Sequence, residues 1–81
     1  MATVVIPPAL RRRTNGAEKL ELDVADVRAL FRALDDRFPG IAAALRDEVA
    51  VAIDGEIVSD PLLEPIEPDS EVHFLPKIGG G

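Results

Sequence analysis

The sequence predicts a small α+β domain, a mixed sheet of four or five strands with one main helix packed on one face. Three observations predict it. Runs of β-branched residues with period two lie on both sides of one segment that carries a helical apolar stripe. An Asp-Gly pair between apolar runs marks a tight hairpin. The chain has 81 residues and no cysteine, so one compact core must hold it without disulfides.

The first strand is the run Thr3-Val4-Val5-Ile6, stopped by Pro7-Pro8. Thr14-Asn15-Gly16 is a turn signal. Beyond it, Leu20, Leu22 and Val24 alternate with Lys19, Glu21 and Asp23, the pattern of a half-buried strand. The two runs read as a hairpin with a long connection. Asp26 is a candidate N-cap, because its carboxylate can accept the free amides of a first helical turn. Val27, Leu30, Phe31, Leu34 and Phe38 then trace one helical stripe. Arg28, Arg32, Asp35 and Asp36 fall off the stripe and should face water, with the arginines beside the aspartates at helical spacing. Pro39-Gly40 ends the helix, and residues 41–45 suit one further helical turn.

Val49, Val51 and Ile53 alternate with alanines, which gives an interior strand apolar on both faces. Asp54-Gly55 turns the chain into Glu56-Ile57-Val58. Residues 59–70 hold three prolines with Leu62, Leu63 and Ile66 between them, and read as a packed irregular connection closed by a Glu67-Pro68-Asp69-Ser70 turn. Val72-His73-Phe74-Leu75 is the last strand, with Phe74 facing the core and Leu75 the other way. Residues 1–75 form the domain and residues 76–81 an extended glycine tail.

The charge is uneven. The net charge is −6; residues 1–46 carry 8 basic and 6 acidic side chains, residues 47–81 only 1 basic and 9 acidic. Such an acidic half argues against nucleic acid, where affinity comes from neutralising phosphates. Arg11, Arg12 and Arg13 read as a solvated turn between strands. No apolar run approaches the roughly 18 residues of a membrane span. The apolar run of the opening precedes its basic run, the reverse of a secretory signal, so a cytoplasmic chain complete from Met1 to Gly81 is expected.

Side-chain catalysis has little to work with. His73 is the one histidine and reads as a surface residue of a strand. It has no second histidine with which to share a metal. Ser59 and Ser70 have no placed base, and no Gly-rich phosphate loop is present. The chain is therefore expected to bind no metal or cofactor and not to act as an enzyme alone. The notable feature is the ending Pro76-Lys77-Ile78-Gly79-Gly80-Gly81. Six extended residues reach about 20 Å. A glycine strand has no side chains and fits a narrow channel. The group such a tail presents is the α-carboxylate of Gly81.

The sequence resembles the ubiquitin-like sulfur carriers of the ThiS and MoaD family. The residues that carry the resemblance are the stripe from Val27 through Leu30 and Leu34 to Phe38-Pro39-Gly40, the hairpin Ile53-Asp54-Gly55-Glu56, the run Asp69-Ser70-Glu71-Val72, and Phe74-Leu75-Pro76-Lys77-Ile78-Gly79-Gly80. The opening Val5-Ile6-Pro7-Pro8-Ala9-Leu10-Arg11, followed by Thr14 and Gly16, is most similar to the CysO-type carriers of cysteine synthesis. The resemblance implies a β-grasp fold and its strand order. It implies a partner of the E1 type (MoeB or ThiF), which uses ATP and magnesium to adenylate the terminal carboxylate before sulfur replaces AMP. The acyl carrier is then Gly81, or Gly80 if a protease trims the third glycine. Gly79 and Gly80 thread the channel, while Leu75, Pro76, Lys77 and Ile78 contact the partner. A sulfur-accepting synthase is the second implied partner. Two other roles fit the resemblance: the small subunit of molybdopterin synthase, bound to its large subunit, and a ubiquitin-like protein modifier.

Overall fold

A computed structural model describes residues 1–58 and 63–76. The elements follow in the order β1 (Ala2–Val5), a 3-10 turn (Pro8–Leu10), β2 (Lys19–Leu22), α1 (Val27–Arg37), α2 (Ile41–Glu48), β3 (Val49–Ile53), β4 (Glu56–Val58) and β5 (Glu71–Pro76). The five strands form one mixed sheet in the order β2-β1-β5-β3-β4. β1 pairs in parallel with β5, and the other three pairings are antiparallel. The first and last strands of the chain are thus neighbours at the centre, a long-range pairing that local periodicity does not specify.

One face of the sheet meets the helices. Ala2 and Val4 of β1, Leu22 of β2, Val49 and Val51 of β3, and Val72 and Phe74 of β5 are buried there. They pack with Val27, Leu30, Phe31 and Leu34, the stripe of α1. The Phe31 and Phe74 ring centroids lie 6.3 Å apart with the planes tilted by 55°, within the range of a favourable aromatic contact, and tie helix to central strand. Asp26 caps α1 as its position suggests: its Oδ1 accepts from the Ala29 amide at 2.8 Å.

The second helix is longer than the single turn expected. Ile41, Ala44 and Leu45 bury at helical spacing, and the helix runs eight residues. Its N-cap, Gly40, has φ +93 and no side chain to cap with. Asp35 of α1 does so instead, its Oδ1 accepting from the amides of Gly40 and Ala42 at 3.1 Å each. The expected pairing of Arg28 and Arg32 with Asp35 and Asp36 gives no ion pair among the described residues.

Asp54 and Gly55 have φ +51 and +86, the two positive angles of a type I′ turn, and Ile53 pairs directly with Glu56. Ser70 donates its amide to the Glu67 carbonyl, closing the expected proline turn. In the segment before it, Leu63 is 75% exposed rather than packed, whereas Ile66 is buried. That segment is held by its backbone, with bonds from Val27 to Glu64 and from Ile66 to Ala25. Leu62 and Ser59 lie outside the described residues.

Candidate functional site

β5 is paired on both sides, to β1 as far as His73 and to β3 as far as Pro76, which lies opposite Val49. Pro76, read from sequence as the first residue of the tail, is the last residue of the strand. The tail therefore starts from the middle of the sheet and from a point fixed by pairing. Lys77, Ile78, Gly79, Gly80 and Gly81 lie outside the described residues.

The other face of the sheet carries no described element. Period two places Val5, Ala50, Ala52, Ile57, His73 and Leu75 on it. Register sets Lys19, Val5, His73, Ala52 and Ile57 in one row across all five strands. The next row toward the tail joins Ala50 to Leu75. Leu75 is 38% exposed and Ile57 67%. Leu75 thus stands where its alternation with buried Phe74 predicts, and Pro76 is exposed beside it. Ile57 was not singled out by sequence. The signal lay in the hairpin, since a two-residue turn after Ile53 fixes Ile57 opposite Ala52. The result is a row that runs from charged at β2 to apolar at β4.

His73 sits mid-row with its side chain 39% exposed, and its Nε2 lies 2.6 Å from Glu71 Oε1. The carboxylate can only accept there when ionised, so the ring donates. The contact joins two residues of one strand face and brings no third ligand or nucleophile. Among the described residues no three of His, Asp and Glu gather as a metal site.

At the end of the sheet where β5 finishes, the β1–β2 connection is tightly built. Thr14 is 1% exposed, its Oγ1 within 3.2 Å of the Arg11 carbonyl and 3.0 Å of the Ala17 carbonyl. Arg11 is not the solvated residue expected. Its Nε donates to the Ile6 carbonyl at 3.2 Å, and its Nη2 lies 4.0 Å from Glu18 Oε1. Arg12 and Arg13 are exposed.

The order of the strands, the helix across them and the free sheet face that leads into the C-terminal strand define a β-grasp domain of the ubiquitin-like class. The comparisons agree. The chain belongs to the ThiS family, which it matches over residues 4–81. It is similar over its whole length to CysO in the crystal structure of the Amycolatopsis orientalis BexX/CysO complex, with 28% identity, a TM-score of 0.87 and full coverage of both chains. It is similar to Mycobacterium tuberculosis CysO, described as an antigen, with 25% identity, a TM-score of 0.86 and coverage of 96% of this chain and 100% of that one. The small archaeal modifier protein 1 of Methanosarcina acetivorans shares the fold at 19% identity, with a TM-score of 0.80 and coverage of 99% and 95%. No curated protein matches. This is a ubiquitin-like sulfur-carrier fold, and no helix among the described residues is long and apolar enough to cross a membrane.

Proposed function

We propose that this protein is a free sulfur carrier whose terminal glycine is activated as an acyl-adenylate and converted to a thiocarboxylate. A carboxylate is a poor electrophile. An E1-like enzyme of the MoeB or ThiF type transfers AMP from ATP to it with loss of pyrophosphate, magnesium serving that enzyme. A sulfide donor then attacks the acyl carbon, the bond to the AMP oxygen breaks, and AMP leaves. Gly81 carries the acyl group, or Gly80 once Gly81 has been trimmed. The thiocarboxylate sulfur passes next to a synthase that builds cysteine, a cofactor or another metabolite. This chain binds neither ATP nor magnesium.

The observation that carries the reading is the root of the tail. β5 is held between β1 and β3 as far as His73 and by β3 as far as Pro76, and Leu75 is displayed on the open face one residue earlier. A partner that covers Leu75, Pro76, Lys77 and Ile78 receives Gly79 and Gly80 in a fixed direction. The presence of a partner in the BexX/CysO crystal supports a carrier that works by docking.

Intact mass spectrometry tests it. After incubation with the cognate adenylating enzyme, ATP, magnesium and sulfide, the chain gains the mass difference between sulfur and oxygen. The mass of the product also reports whether Gly81 is retained. Removal of both Gly80 and Gly81 abolishes the gain. An unchanged mass with enzyme that still converts another carrier would refute the reading.

A further inference from the structure

Resting on that reading, we infer that the β1–β2 connection is a second recognition element, which selects a partner presenting an apolar side chain flanked by carboxylates. β1 and β5 run parallel, so the residues after β1 emerge at the edge of the sheet where β5 ends. Val49 opens β3 at the same edge, opposite Pro76. Pro7, Pro8, Ala9 and Leu10 join Val49 and Pro76 around a notch of about 380 Å³ at the root of the tail. Every described lining residue is apolar. A second depression, lined by Ala9, Leu10, Arg12 and Arg13, adjoins it across the shared Ala9 and Leu10.

The three arginines divide by role. Arg11 is committed to the Ile6 carbonyl and to Glu18. Arg12 and Arg13 are exposed, and their side chains make no hydrogen bond or ion pair among the described residues. The fold makes no use of them, yet the turn that bears them is rigid. The amides of Leu10, Arg11, Arg13, Thr14 and Gly16 all bond within the connection, and buried Thr14 closes it.

Charge complementarity then names the occupant. The chain carries net charge −6 with its acidic excess in residues 47–81, and the rigid turn puts two exposed guanidiniums near the notch at Pro76. Guanidinium pairs best with carboxylates, often in bidentate fashion. A partner with acidic residues around an apolar tip gains contacts here. The same residues placed against the acidic side chains of residues 47–71 are repelled, so the pattern disfavours docking there. The notch takes the apolar tip, and Arg12 and Arg13 hold its rim.

The test compares two charge reversals of equal size in the conversion assay. R12E/R13E alters the rim, and R28E/R32E alters the exposed side of α1. We expect R12E/R13E to raise the half-saturating carrier concentration about tenfold at unchanged maximal rate, the gap closing at high salt, as rim charges do. R28E/R32E should stay within about twofold of the parent chain. Ala9→Asp, which puts a charge into the notch, should follow R12E/R13E. Equal losses in the two reversals would reduce the effect to net charge and overturn the inference, as would normal saturation by R12E/R13E. A parent chain that dimerises in sedimentation, and becomes monomeric as R12E/R13E, would give the surface to a second copy and overturn it too. A parent chain that is never converted defeats the carrier reading itself, before any variant is compared.

Discussion

The Ser70 hydroxyl donates a hydrogen bond of 3.0 Å to Asp54 Oδ2, joining the start of the last strand to the β3–β4 turn. Ser70 is 2% exposed, and its oxygen also accepts from the Glu67 amide at 3.0 Å. Asp54 uses its other oxygen to accept from the Glu71 amide at 2.9 Å. The sequence places both residues in turns, and together they align β5 before it enters the sheet. Ser70→Ala strands the Glu67 amide and removes two bonds. It should lower unfolding free energy by about 1–2 kcal/mol in urea titration. Conversion to thiocarboxylate below the unfolding transition should be unchanged, since the site is remote from the tail.

Asp35 caps a helix to which it does not belong. Asp35→Ala leaves the amides of Gly40 and Ala42 without their acceptor. The expected cost is about 1 kcal/mol, the usual worth of a cap. Asp35→Asn keeps a side-chain oxygen in place and should recover most of it. Hydrogen exchange locates the effect: protection should fall first in α2 rather than across the sheet.

Thr14 bonds within the connection that carries Arg12 and Arg13. Thr14→Val keeps the shape and removes the hydroxyl, which takes the 3.0 Å donor from the Ala17 carbonyl, while the Arg11 carbonyl keeps the Gly16 amide at 2.7 Å. A loss of about 1 kcal/mol is expected from chemical denaturation. If the rigidity of the turn matters to recognition, the half-saturating concentration for the adenylating enzyme should rise as well, by less than in R12E/R13E.

Features set by neighbouring residues were legible in the sequence. Val27, Leu30, Phe31 and Leu34 announced the buried stripe through spacing alone, and all four are buried. Asp54-Gly55 announced its turn because only a few residues accept positive φ. Features set at a distance were not. The N-terminal cap of α2 comes from Asp35, which a local reading sends to water. The exposure of Leu63 follows from backbone bonds made by Glu64 and Ile66 to residues far back in the chain. The parallel pairing of β1 with β5 came only from family resemblance, because periodicity gives faces and not neighbours. Of the candidate site, Leu75 was legible by its alternation with Phe74. Ile57 and the notch at Pro76 needed the register between strands that are remote in sequence.

Leu75 separates docking from folding. It lies on the open face beside Ala50, is 38% exposed and belongs to the strand that leads into the tail. Leu75→Ser removes a side chain that is more than half buried, so stability should fall by about 1–2 kcal/mol, and saturation is measured well below the unfolding transition. An apolar anchor at the centre of an interface loses about 1–2 kcal/mol of affinity besides, about five- to thirtyfold. The half-saturating concentration for the adenylating enzyme should therefore rise about five- to thirtyfold, while the maximal rate at saturation is kept. Leu75→Met preserves apolar contact and should behave like the parent chain. Ile57→Ser, two strands away in the adjoining row, should give a smaller rise if the partner covers the whole face, and none if it holds only the root of the tail. Normal saturation by Leu75→Ser would show that the partner grips the tail alone, and would remove the open sheet face from the docking surface.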